Sequence, residues 1–183
     1  VYELLERLLD VRFLAHDCTT IPQRVAIDFP SADHHHTPPF AYREALYFDA
    51  FDRDIALRHR FNGPFCRCGA SVGGKWTFHP FVHSFARLVP PEKYFSEHPE
   101  YFSLINGVRV GAACDAQLCL TNPEVLRIAT DTVLRWIDEH PDVRVFDVSQ
   151  NDGGGPCECA ACMAVVAEEG SQHGPILRFV NAV

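Results

Sequence analysis

Cationic residues are scarce in this chain: 16 Lys and Arg stand against 24 Asp and Glu, a formal charge of −8. The acids are scattered rather than run together, and no basic stripe exists that could track a phosphate backbone, so nucleic acid is not an expected partner. Also missing is any run approaching the ~18 to 20 consecutive apolar residues that a bilayer span needs, so no membrane span is expected. Val1 opens directly into Tyr2-Glu3-Leu4-Leu5, with no basic-then-apolar leader to report a compartment. No glycine fingerprint opens a helix, which argues against a dinucleotide site, and no organic cofactor is expected. Internal repeats are absent, and the one biased tract is His34-His35-His36. What remains is 183 residues, 47% hydrophobic and 11% aromatic, enough apolar material for a core and incompatible with disorder or fibre.

Residues 1–9 carry Leu4, Leu5, Leu8 and Leu9 at helical spacing, and Val11 to Leu14 reads as a short buried strand. Pro30 to Pro39 collects Ser, Asp, His and Pro, which is linker chemistry and marks a domain boundary. Phe40 to Phe48 alternates and suits a strand, followed by a helix from Asp52 that Gly63-Pro64 ends. Lys75 to His79 is a second strand candidate and Leu118-Cys119-Leu120 a third. Asn122-Pro123 starts a helix whose apolar face is Val125, Ile128, Ala129, Val133 and Ile137. Val143 to Ser149 is the clearest strand, and a Gly-rich loop, Gln150 to Pro156, follows it. Strand and helix in alternation imply parallel pairing. The long loops after the strands suit part of a (β/α)8 barrel, in which the active site lies at those loops. The expected organisation is an α/β chain: residues 1–30 as the tail of a small α/β domain, 31–39 as linker, and 40–183 as roughly the first half of such a barrel. The uncapped first helix and the stop in mid-helix at Val183 read as a piece of a longer protein, whose remaining barrel would be its partner.

Asn151-Asp152 ends the best strand and precedes three glycines, a position from which a carboxylate can face a barrel mouth. Glycoside hydrolysis needs two carboxyl groups, so Asp152 is a candidate acid, with shaping of the Gly-rich turn as the alternative. Cys157, Cys159 and Cys162 can converge on one soft cation, with Cys119 the preferred fourth ligand and Cys66, Cys68 or a histidine the alternatives. A closed four-ligand set would be structural zinc; free or disulfide-bonded thiols are the competing reading. His79 and His83 flank Pro80-Phe81-Val82 and could face the same mouth as Asp152. Arg43 and Asp49 bracket the first strand candidate, where Arg43 could fork onto sugar hydroxyls or a carboxylate, or make a structural ion pair.

These motifs resemble the bacterial family grouped as domain of unknown function 4838, which is regarded as a group of glycoside hydrolases. The resemblance is carried by Phe81-Val82-His83-Ser84-Phe85, Arg87 to Phe95, His98 to Phe102, Gln117 to Val125, Val148-Ser149-Gln150-Asn151-Asp152, the Cys157/Cys159/Cys162 triplet and Leu177 to Asn181. It implies a secreted or periplasmic enzyme with a barrel similar to those of α-glucuronidases and β-hexosaminidases, acting on a carbohydrate substrate. By motif, it points only to Asp152, of the Gln-Asn-Asp stretch, as general acid or amide orienter and to His83, of the Phe-Val-His stretch; with His83, the residues read above, Arg43, Asp49, His79 and Asn151, are the expected substrate contacts. Cys18, Cys66, Cys68 and Cys114 fall outside the resemblance. The expectation from another class is a carbohydrate-binding or zinc-stabilised module without turnover.

Overall fold

The longest helix shows how local sequence sets the frame. In the computed structural model, which describes residues 1–27, 33, 35–69, 75–111 and 117–183, Pro123–Glu139 forms a helix of 17 residues. Asn122 caps it, its side chain accepting from the backbone N–H of Glu124 at 2.9 Å and of Val125 at 3.4 Å. Pro123 occupies the first turn, where a missing N–H costs nothing. The buried face is Val125, Ile128, Ala129, Thr132 and Trp136, rather than one ending at Val133 and Ile137. Trp136 lies eleven residues after Val125, three full turns, whereas Ile137 is rotated outward and 45% exposed. Truncating the cap as Asn122→Ala should cost ~1 kcal/mol in urea unfolding. A change below a few tenths would mean that packing alone places this end.

Two compact units make up the described residues, Val1–Thr77 and Phe78–Val183. In the first, α1 (Tyr2–Leu9) precedes an antiparallel ribbon of β1 (Arg12–Ala15) and β2 (Cys18–Thr20), and α2 spans Arg53–Arg58 under the side-chain cap of Asp52. Phe13 is buried in β1, with the Arg58 guanidinium 5.1 Å over its ring. The expected strand at 40–48 is not formed. The Arg43 N–H donates to the Asn62 side chain and its carbonyl accepts the Asn62 N–H, both at 2.9 Å. One asparagine therefore takes the backbone groups that a neighbouring strand would have used, and Phe40, Leu46 and Phe48 remain exposed.

The second unit holds β3 (Phe78–His79), α3 (Phe85–Leu88), α4 (Pro91–Tyr94), a hairpin of β4 (Leu104–Ile105) and β5 (Val108–Arg109), α5 (Pro123–Glu139), β6 (Val145–Phe146), α6 (Ala160–Glu169) and α7 (Gly174–Ala182). Strands β3 and β6 pair in parallel, Phe78 with Val145 and His79 with Phe146, and α5 lies on the connection between them. The molecule is thus mixed α/β with few and short strands, and no closed barrel forms among the described residues. Leu118, expected in a parallel strand, instead makes an antiparallel bridge to Phe102. Its flanking bonds run from Ser103 N–H to the Gln117 carbonyl and from Cys119 N–H to the Tyr101 carbonyl, each 2.9 Å. The core is aromatic and aliphatic: Phe85, Leu88, Val89, Phe102, Leu118 and Val125 are all at most 1% exposed. Phe179 of α7 closes edge-on against Phe85 at 5.7 Å. No helix is long and apolar enough to cross a membrane among the described residues. His34 and Cys114 lie outside them, as do residues 28–32.

The His79 ring lies 3.9 Å from that of His140, tilted by 37°, and edge-on to Trp136 at 5.2 Å. Burial holds its pKa below the usual imidazole range, and the neighbouring His140 and Arg87 push the same way against a smaller opposing pull from Glu139. A depressed imidazole is neutral when folded, so the unfolded chain binds the extra proton. This unit should therefore be fully stable above the ordinary imidazole pKa of ~6.5 and lose stability as pH falls below it. Urea melts on either side of that pH should show the loss, and His140→Gln should shrink it. An unaltered pH slope in the variant would remove the ring pair as its source.

Candidate metal centre and strand-end carboxylate

Four cysteine sulfurs meet where three chain segments converge. Cys119 follows the antiparallel bridge, Cys157 comes from the loop after β6, and Cys159 and Cys162 sit at the N-terminal end of α6. All four Sγ atoms lie within 4.8 Å of one another, and only Cys159 is less than fully buried. Cys119 Sγ is 3.7 Å from that of Cys159 and 3.9 Å from that of Cys162. A tetrahedron with arms of ~2.3 Å, the Zn–S length, has edges of ~3.8 Å, whereas a disulfide would bring two sulfurs to ~2.05 Å. The spacing fits four ligands around one cation and excludes a bonded pair, and all four thiols are free.

The surroundings stabilise negative sulfur. Cys157 Sγ accepts from the Leu104 N–H at 3.4 Å and lies 3.7 Å from Arg109 Nη1, which also donates to the Phe102 carbonyl at 2.6 Å. Hydrogen bonds from Cys119, then Cys162, hold the Cys157 thiol far below the usual range, with the Leu104 N–H adding to them against burial. Cys119 and Cys162 are raised by the same sharing of protons. Thr121 Oγ1 stands 3.2 Å from Cys162 Sγ. The hairpin turns tightly on Asn106 and Gly107, both at positive φ. It grips the ligand loop through Glu158 N–H to the Leu104 carbonyl at 2.8 Å and Asn106 N–H to Glu158 Oε2 at 2.7 Å. These four cysteines can hold a metal ion. Cys66 and Cys68 sit in the other unit, where burial, then Cys66, pushes Cys68 up to about 11, a protonated and unreactive thiol.

The carboxylate site lies beyond the same strands. Asn151 is buried and clamped: its side chain accepts the Ala86 N–H at 3.0 Å, its own N–H donates to Gln117 Oε1 at 3.1 Å, and its carbonyl accepts from Gln117 Nε2 at 2.9 Å. Asp152, the next residue, projects into solvent with its side chain 90% exposed and its Oδ2 3.9 Å from His83 Nε2. Val82 and His83 adopt φ of 41° and 58°, a conformation that a β-branched residue rarely takes and that tertiary contacts must enforce. Those contacts are present: the His83 N–H donates to Ser149 Oγ at 2.9 Å, which donates to Asp147 Oδ2 at 2.7 Å. The structure therefore brings His83, Asn151 and Asp152 together. His79 lies in β3 with its ring against α5. Arg43 and Asp49 belong to the first unit, where Arg43 donates to the Phe40, Ala41 and Arg60 carbonyls and Asp49 accepts from His16 at 2.9 Å.

Sequence reading missed Gln117, Asp147, Ser149 and Arg109. Asp147 was findable, because it follows β6 directly at its C-terminal end. Gln117 and Arg109 carry no local pattern; their roles come from partners 34 and 48 residues away. A cavity of about 170 Å³ lies between the two sites, lined by Phe85, Gln117, Gln150, Cys157, Cys162 and His173 among others. Residues 13–183 match the family described as domain of unknown function (DUF4838). No curated protein and no solved structure matches the chain.

Proposed function

The chain belongs to the family of domain of unknown function 4838 (DUF4838), and on that premise we propose that it carries part of a glycan-hydrolysing site at the C-terminal edge of β3 and β6. The observation that carries this reading is the meeting of His83 and Asp152 at 3.9 Å, just beyond a parallel strand pair. The β3–α5–β6 order supports a (β/α)8-type arrangement, in which catalytic side chains occupy that edge. Asp152 would serve as the proton donor to the leaving oxygen or as orienter of a substrate amide, with His83 and Asn151 placing it. The full-length protein should cleave an aryl glycoside within a panel that includes glucuronides and N-acetylhexosaminides. Asp152→Asn should lower turnover ~10²- to 10⁴-fold and leave the melting temperature unchanged, because the side chain is exposed. Unaltered turnover in that variant would remove Asp152 from the mechanism.

The resident metal in this reading is Zn²⁺, held by Cys119, Cys157, Cys159 and Cys162. Four thiolates leave no open position for water, so its role is to fix the loop after β6 rather than to activate a nucleophile. That closed set also favours a second reading, a zinc-stabilised carbohydrate-binding module without turnover. Glycan binding by the full-length protein, with silence across the substrate panel, would select it. An exported location follows from the family resemblance.

A further inference from the structure

A second cavity, of about 460 Å³, opens between α5 and the α3–α4 segment of the same unit. Arg127, Asp131 and Arg135 stand four residues apart along α5 and so form one stripe. Arg87, Lys93 and Tyr94 line the opposite wall. Four cations thus share the cavity with one carboxylate, in a chain whose acids outnumber its bases 24 to 16. Arg127 is occupied, bound by Glu124 at 3.0 Å and by Asp131 at 2.8 Å, and Lys93 Nζ lies 4.7 Å over the Tyr94 ring. Arg87 and Arg135 are exposed and have no carboxylate partner among the described residues. In a molecule with surplus acids, two unpaired guanidiniums facing one hollow are the reverse of what chance pairing would leave.

We propose that this cavity binds a small organic anion: one or two carboxylate, phosphate or sulfate groups on a body the size of a sugar. Guanidinium forks pair with all three groups in bidentate geometry, and the face of Tyr94 offers a ring for the body to lie against. Size and charge together set the class. The cavity falls within the ~300 to 1,000 Å³ of small-molecule sites, whereas a long polyanion would be repelled by the net charge of −8. This inference is independent of the hydrolytic reading, since none of its residues belongs to the Asp152 or the thiol site.

Calorimetric titration of the full chain with glucose 6-phosphate, glucuronate, glucose and inorganic sulfate tests it. An anionic sugar should bind saturably and glucose should not, with affinity falling as salt is raised. Arg87→Gln with Arg135→Gln should weaken binding about tenfold or more. Asp131→Asn, which removes the one carboxylate lining the cavity and frees Arg127 Nη1 while Glu124 keeps its Nε, should strengthen it, a gain that misfolding cannot mimic. The proposal is overturned if no probe binds, if glucose binds as well as the anionic sugars, or if Asp131→Asn leaves their affinity unchanged. Sulfate binding as tightly as the anionic sugars would also overturn it, because the cavity would then recognise charge without a ligand body.

Discussion

On the proposed metal reading, chelating the ion of the four-thiol centre, or replacing Cys162 by Ser, should lower the melting temperature of the Phe78–Val183 unit by more than ~10 °C. Structural zinc contributes its binding free energy to folding, ~10 to 16 kcal/mol in isolated zinc-finger peptides. Even ~3 kcal/mol of that moves the midpoint of a domain of about this size by more than 10 °C. The effect should be local as well as global. Leu104 N–H bonds to Cys157, and Glu158 and Asn106 bind across the same seam, so amide exchange at Leu104, Asn106 and Glu158 should accelerate first. Protons compete with the metal for sulfur, so the centre should be loaded near neutrality and emptied as pH falls. Elemental analysis of the native protein, followed by melts with and without chelator, checks this. A metal-free protein, or an unmoved melt after chelation, would leave the cluster as four packed thiols.

Phe85→Ala should cost ~3 to 5 kcal/mol, the upper range for a buried aromatic. Phe85 is fully buried, packs edge-on against Phe179 and lines the 170 Å³ cavity beside the thiol centre. Removing the ring would enlarge an existing hollow rather than let the walls close, and uncollapsed volume is what makes such truncations expensive. It would also release Phe179, and with it the docking of α7. Urea unfolding followed by circular dichroism measures the loss. A cost below ~1 kcal/mol would mean that the walls collapse around the gap.

The sequence is most informative where the determining contacts are local. The cap and Pro123 of α5, the Cys157/Cys159/Cys162 spacing and the turn into Asn151-Asp152 each depend on residues within a few positions of one another. Cys119 was matched to the triplet on the premise of a parallel strand, yet it reaches the cluster from an antiparallel bridge. Cys119 joins the cluster, but not by the expected route, because short apolar runs do not encode the direction of their partner. The 40–48 segment shows the same limit: its alternation asked for a ladder, and Asn62 took the hydrogen bonds instead.

Composition, net charge, helix caps and the clustered thiols are properties of neighbouring residues, and the amino-acid order settles them alone. The gathering of four sulfurs within 4.8 Å of one another, the Gln117 clamp on Asn151 and the strained backbone at Val82 and His83 are of another kind. So are the guanidiniums of Arg87 and Arg135, which have no carboxylate partner among the described residues. Each depends on contacts between groups far apart in the chain, whose energies exist only once the fold has brought them together.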